Sequence, residues 1–274
     1  MPHLFATSDL HVTHEGNAPL VDEVVPRTPD DWLLVAGDVA ERAESVIGVL
    51  KTLRERFAKV VWVPGNHELW TTQKDECQLR GQARYEHLVE RCREIDVLTP
   101  EDPYPVWEHQ EKPLTIAPLF VLYDYSWRTP AAEGLPMLTA IEQAREAGVL
   151  CTDEFFLHPD PYPSRQAWCA DRVKISTERL EAIPEDHGTI LMSHWPLHRH
   201  PTEPLYFPEF ALWCGTTETE DWHRRFRAEV SVYGHLHIPR STEADGVRFE
   251  EVSLGYPREW RKRARGPIPL RRIF

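Results

Sequence analysis

Short apolar runs alternate with amphipathic stretches along this chain, and each run stops at a polar cluster. Leu4-Phe5-Ala6-Thr7-Ser8 predicts a buried strand that halts at Asp9-Leu10-His11. Trp32 to Ala36 predicts a second, halting at Gly37-Asp38, and Lys59 to Val63 a third, halting at Pro64-Gly65-Asn66-His67. Between them Val46, Val49, Leu50, Leu53 and Phe57 recur at helical spacing, which gives a helix over 41–57 one apolar face. Tyr85, Leu88, Val89, Cys92 and Ile95 do the same over 83–95. Ile116 to Tyr123 predicts a further strand, with Pro118 pointing to an edge or a late start. Thr189 to Met192 ends at Ser193-His194, Glu229 to Tyr233 ends at Gly234-His235-Leu236-His237, and Val247 to Leu254 closes the series. The β-α-β rhythm predicts a sheeted α/β core.

The segment 124–186 interrupts that rhythm. It is rich in Pro, Trp and Tyr and carries two predicted helices, 137–147 and 165–183, so it reads as an insertion capping the core. The expected organisation is one domain over 1–274, with a cap at 124–186 and a basic tail at 258–274. A hydrophobic fraction of 41% suffices for a core of that size. With 31 Lys+Arg against 44 Asp+Glu the net charge is −13, which makes nucleic acid and anionic membrane poor partners. The longest apolar runs fall far short of the roughly 18 residues a membrane span needs. Five cysteines form no C-x-x-C pair, and Met1-Pro2-His3-Leu4 offers neither a basic nor an apolar leader region. A reducing, cytoplasmic setting is expected.

Five predicted strands thus end in residues able to bind metal: Asp9 and His11, Asp38, Asn66, His194, then His235 and His237. In open α/β sheets ligands gather at the carboxyl ends of strands, where the loops converge. Two carboxylates, one amide oxygen and four imidazoles, without thiolate, suit Mn, Fe, Zn or Co better than Ca or Mg. Seven donors exceed one tetrahedral site and suit two metals if one carboxylate bridges. A pair of cations about 3.5–4 Å apart can share a hydroxide and attack an anionic phosphoester. His67 adjoins Asn66 but lies outside the ligand set, and an alkoxide leaving group needs a proton, which makes His67 the candidate general acid.

Asp9-Leu10-His11, Gly37-Asp38, Gly65-Asn66-His67-Glu68, His194 and Gly234-His235-Leu236-His237 together resemble the signature of the calcineurin-like metallophosphoesterases. The resemblance spans residues 4–254 and implies a four-layer α/β/β/α sandwich with a dinuclear site. It implies that Asp9, His11 and His237 hold one metal, that Asn66, His194 and His235 hold the other, and that Asp38 bridges. It also implies His67 as general acid. The run Gly37-Asp38-Val39-Ala40-Glu41-Arg42 is similar to the G-D-x-x-D-R run of the Ser/Thr phosphatase branch, with Glu in place of Asp. By that likeness Glu41 would orient His67 and Arg42 would grip phosphate; by composition alone both simply open a helix. His14, three residues past His11, and His198 and His200, just after His194, read as structural or solvated, with the rim of the site as the alternative.

Outside the metal motifs, the stretches Leu122–Ser126, Cys151–Phe155, Pro208–Thr217 and Asp245–Trp260 resemble the actinobacterial phosphopantetheinyl hydrolases. That resemblance implies a metal-dependent phosphodiesterase that removes 4′-phosphopantetheine from carrier proteins, with Mn or Fe as the first metals to expect. Alternatives are a phosphoesterase acting on cyclic nucleotides or phosphomonoesters, and a non-catalytic protein-binding scaffold. Tyr125 and Trp127 are candidates for the walls of a slot that takes the pantetheine arm, with core packing as the other reading of Trp127. Residues 258–274 hold seven basic residues against one acid, a balance of +6 on a chain of −13. This tail could steer an acidic carrier protein, or merely solubilise the terminus.

Overall fold

The computed structural model describes residues 2–109 and 112–274. Its first half contains β1 (Leu4–Thr7), β2 (Trp32–Val35), α1 (Ala43–Arg56), β3 (Lys59–Trp62), the single turn α2 (Asn66–Leu69) and α3 (Gly81–Glu94). There follow β4 (Val106–His109), β5 (Lys112–Pro118), α4 (Met137–Glu146), the short α5 (Asp153–Phe156), α6 (Arg165–Glu181) and β6 (Gly188–Met192). The chain closes with α7 (Trp222–Arg225), β7 (Ala228–Tyr233), β8 (Ser241–Ala244), β9 (Val247–Glu251), α8 (Pro257–Trp260) and β10 (Arg271–Arg272).

Strand period 2 sorts the apolar residues into layers. Leu4, Ala6, Leu34 and Val61 turn inward to meet Ile116, Ile190, Met192, Val230 and Val232 of the second sheet. Phe5, Leu33, Val35 and Val60 turn outward onto Val46, Leu50 and Leu53 of α1 and Leu88 and Cys92 of α3. On the far side Ala117, Leu191, Tyr233 and Phe249 pack with Trp168, Cys169 and Leu180 of α6. The result is the expected α/β/β/α sandwich. One sheet has the order β10-β1-β2-β3 and the other β4-β5-β6-β7-β9-β8. Strands β1, β2 and β3 run parallel, as do β5, β6, β7 and β9, so their carboxyl ends share one edge of the molecule.

Four expectations change. The strand expected over Ile116–Tyr123 runs instead from Lys112 to Pro118, inside the sheet. Ile116 N donates to Pro105 O, so the Pro118 nitrogen faces the same side, beyond the last β4 pair, Val106 with Thr115. No donor is lost there, and residues 119–123 leave the sheet as buried coil. β9 stops at Glu251 rather than Leu254. Val252 N bonds Tyr233 O in one sheet, then Ser253 pairs with Ser8 and Leu254 N bonds Ser8 O in the other. This crossing ties the two sheets together beside Asp9.

The segment 124–186 is for the most part the outer helical layer, since α4 and α6 bury Ala140, Ala144, Trp168 and Cys169 in that core. Its α5 is bonded to the loop after β3, where Asp153 Oδ1 accepts from Asn66 Nδ2 and Trp70 Nε1. Finally, the basic segment 258–274 is folded onto the body. β10 lies antiparallel on β1, and Ile273 N donates to Leu4 O at 2.8 Å. Strands β4, β8 and β10 had no signal in the sequence, because each is short and lies at a sheet edge where only one face needs to be apolar.

Candidate metal centre

All the loops that carry the predicted ligands meet at the shared strand edge. Asp9 N donates to Gly37 O (2.9 Å), His11 N to Asp38 O (3.0 Å) and Gly234 N to His194 O (2.9 Å), so the turns are laced to one another. Asp9, His11, Asp38, His235 and His237 all have positive φ, between 41° and 71°. Left-handed backbone is costly for side chains of this kind, and five such residues in one place mark a built functional site. Close packing also fixes Gly65, where a Cβ would lie 2.1 Å from Asp38 Oδ1. The buried Glu68 carboxyl staples two turns by accepting from Gly65 N (2.9 Å), Asp38 N (2.8 Å) and Val39 N (2.6 Å). Burial, reinforced by the Asp38 charge, pushes it up to about 7.

Three groups of donors converge: Asp9 with His11 and His237, Asp38 with His11 and His67, and Asp9 and Asp38 with His194, each set lying within 4.8 Å. His11 Nε2 and His237 Nε2 are 3.2 Å apart, with Asp9 Oδ1 2.9 Å from the latter. His194 Nε2 lies 3.1 Å from Asn66 Oδ1 and 3.4 Å from Asp38 Oδ2. Outer partners fix which atom of each ligand faces inward. His237 Nδ1 meets Glu259 Oε2 (2.8 Å), His194 Nδ1 meets Ala36 O (2.8 Å), and His235 Nε2 meets Trp213 O (3.1 Å), which leaves Nδ1 as the nitrogen of His235 able to ligate. Asn66 Nδ2 donates to Asp153 Oδ1 at 2.9 Å, so the amide oxygen turns to the centre. His235 stands beside the convergent groups rather than within one, its ring edge-on to that of His194 at 5.1 Å.

The electrostatics are those of a cation site. Burial alone would raise the Asp9 and Asp38 carboxyls, yet the imidazoles of His237 and His194 respectively hold both well below the usual range. His194 is pushed up to about 9, because Asp38 outweighs its desolvation, and His237 is raised well above its ordinary value by Asp9. His235 falls to about 3 through burial and the neighbouring His194. Bound cations would take the place of the protons on His194 and His237. Ser253 Oγ lies 2.6 Å from Asp9 Oδ2 and 2.5 Å from Glu251 Oε1. One hydroxyl proton cannot serve both carboxylates. Burial and the Asp9 charge push Glu251 up to about 7, which makes a second proton available there near and below neutral pH. The buried N and O donors gathered around Asp9 and Asp38 fit divalent metal.

His67 sits above these groups. Its Nδ1 is 3.0 Å from Glu41 Oε1, its Nε2 is 3.8 Å from Asp38 Oδ2, and Trp70 lies against its ring at 3.7 Å. Burial would lower His67, but Asp38 and then Glu41 raise it. Glu41 is itself drawn down to about 2, since the His67 and Thr13 hydrogen bonds outweigh its burial. Glu41 thus orients His67 and lies outside α1, which starts at Ala43. Arg42 is exposed, and among the described residues it makes no hydrogen bond or ion pair to the centre.

Tyr125 and Trp127 are not slot walls. Both are buried: the Tyr125 hydroxyl donates to Glu154 Oε1 (2.7 Å), and Trp127 packs so tightly under Gly215 that a Cβ there would meet its ring at 2.4 Å. His198 and His200 pair with each other and pack on His223 and Phe249 rather than on the ligands, whereas His14 stands beside His11. Sequence reasoning gave no role to Asp153, Glu68, Trp70, Glu259 or Tyr256. Glu68 closes the Gly65–Glu68 motif and Trp70 follows it, whereas Asp153, Tyr256 and Glu259 lie in the Cys151–Phe155 and Asp245–Trp260 stretches, far along the chain.

The chain belongs to the calcineurin-like phosphoesterase family, whose model matches residues 2–239 and so takes in all seven predicted ligands. Over 262 residues it is 56% identical to the acyl-carrier-protein phosphodiesterase PptH of Mycobacterium tuberculosis (strain ATCC 25618 / H37Rv), a match that covers 96% of this chain and 80% of that protein. The crystal structure of phosphopantetheinyl hydrolase PptH from Mycobacterium tuberculosis superimposes with a TM-score of 0.95 at 54% identity, covering 100% of this chain and 96% of that one.

Proposed function

We propose that this chain is a metal-dependent phosphodiesterase that removes 4′-phosphopantetheine from holo acyl carrier proteins. The observation that carries this reading is 56% identity with the PptH phosphodiesterase across nearly the whole chain, over a centre where Asp9, His11, Asp38, His194 and His237 converge. Asp9, His11 and His237 would hold one ion, Asn66, His194 and His235 the other, and Asp38 both. Mn and Fe are the metals proposed, with Zn and Co compatible with the same donors. When bound, such a pair supplies an activated water and neutralises phosphoryl charge. His67 holds its Nδ1 proton toward Glu41 and presents Nε2 to the leaving oxygen as general acid. Trp70 lies against the His67 ring at 3.7 Å and covers that face of it. Five free cysteines fit the cytoplasm. Intact-mass spectrometry of a holo carrier protein incubated with enzyme and Mn²⁺ tests the reading. Loss of the entire phosphopantetheine arm is expected, and an unchanged carrier mass alongside aryl phosphodiester turnover would leave only a small-molecule phosphoesterase.

The basic segment would face the acidic carrier protein, with a smaller set of residues than its composition suggests. Arg263 donates to Leu254 O (2.8 Å) and His237 O (3.2 Å), and Arg271 pairs with Glu250 at 3.0 Å, so neither is free to dock a partner. Arg261, Lys262 and Arg265 are exposed. Reversing those three charges should raise KM for carrier protein, most steeply at low salt, and leave turnover of a small aryl phosphodiester unchanged. Equal responses of the two substrates would remove this segment from recognition.

A further inference from the structure

Tyr256 belongs to none of the metal motifs, yet its side chain stands within the centre. Gly255, at φ +76°, turns the chain back after the crossing at Ser253, and Tyr256 then precedes α8. Its N–H donates to Glu259 Oε2 at 2.9 Å, the same oxygen that holds His237 Nδ1. The phenol ring stacks on His11 with centroids 4.5 Å apart and 23° between planes, and it meets His237 edge-on at 4.8 Å. This packing aims the hydroxyl inward, where Oη lies 3.3 Å from His67 Nε2. A tyrosine needed only for packing would gain nothing from a hydroxyl directed at the one imidazole nitrogen that faces the reaction.

We propose that Tyr256 is a further catalytic residue, whose hydroxyl donates a hydrogen bond to a non-bridging oxygen of the phosphoester while His67 Nε2 faces the leaving oxygen. This rests on the phosphoester reading of the site and not on the identity of the carrier. Tyr256 Oη and His67 Nε2 face each other at 3.3 Å, and with His67 protonated, as a general acid must be, the Tyr256 proton is left to point at substrate. The two donors are close enough together to address two oxygens of one tetrahedral phosphorus. The phenol keeps its proton throughout; the proton that reaches the leaving oxygen comes from His67. As charge builds on the equatorial oxygens, the bond from Tyr256 strengthens, and that difference lowers the barrier.

Tyr256→Phe removes Oη and preserves the ring on His11. The variant should keep its thermal midpoint and its metal content, and should bind inorganic phosphate about tenfold more weakly by calorimetry, as expected for a hydrogen bond to a charged group. Its kcat should fall by a similar factor on both an alkyl phosphodiester and an activated aryl phosphodiester, because phosphoryl charge develops in each. Unchanged phosphate affinity, with a loss confined to the alkyl ester, would show that Tyr256 acts only through His67 and would overturn the proposal. Loss of a metal ion would overturn it too, by reducing Tyr256 to a support for His11. Wild-type protein that hydrolyses neither ester would instead refute the phosphoesterase reading itself.

Discussion

Asp38→Asn should strip more metal from this protein than any other single substitution at the centre. Asp38 Oδ2 lies 3.4 Å from His194 Nε2 and 3.9 Å from His11 Nε2, so it stands between the two donor sets. In the proposed assignment every other ligand would hold one ion only. The amide removes a negative charge that both ions would share and would turn an N–H₂ toward one of them. The fold should survive, because Asp38 sits at φ 55°, a left-handed conformation that asparagine adopts readily, and an amide oxygen can still accept from His67 N as Oδ1 does now (2.9 Å). Elemental analysis should give two ions per chain for the metal-replete wild type and fewer than one for the variant. Loss of an ion forfeits several kcal/mol of charge stabilisation, so kcat should drop on the order of 10³-fold. A folded variant that keeps two ions would remove Asp38 from the bridge. At most one ion in the wild type would end the dinuclear description.

The prominence of Asp38 in the bare sequence has a physical origin. A strand buried on both faces must be apolar, so the first polar residues after it are forced to the sheet edge, and that is where β1, β2, β3, β6 and β7 leave all seven candidate ligands. Helices α1 and α6 were legible for a similar reason, since one apolar face against a sheet fixes their period. What the sequence concealed is what lies second from the metals. Asp153 reaches Asn66 across 87 positions, and Tyr256 reaches His67 across 189. No local period marks a side chain whose partner is that distant. Tyr125 and Trp127 misled because an aromatic residue after a strand looks the same whether it walls a slot or fills the core. Their burial was decided by Gly215 and Glu154, both remote in sequence.

His67→Ala should separate the two halves of the chemistry. With Asp9, His11, Asp38, Asn66, His194, His235 and His237 untouched, both ions should stay, and the thermal midpoint should move little. On an alkyl phosphodiester the rate should fall roughly 10²–10⁴-fold, the usual contribution of a positioned general acid. On a nitrophenyl diester the loss should be far smaller, because that oxygen departs without a proton. Equal losses on both esters would show that His67 is not the acid. The carboxylate that orients it supplies a second readout. Glu41 raises the His67 imidazole, which therefore stays protonated, and competent as an acid, to higher pH. Activity on the alkyl ester is present below that raised value and is lost as pH climbs through it. Glu41→Gln keeps an acceptor for Nδ1–H but removes the charge, so this alkaline limb should begin at lower pH. The aryl ester, which needs no acid, should show no such displacement. An alkaline limb that stays in place in Glu41→Gln would mean that the 3.0 Å contact positions the ring without tuning its proton.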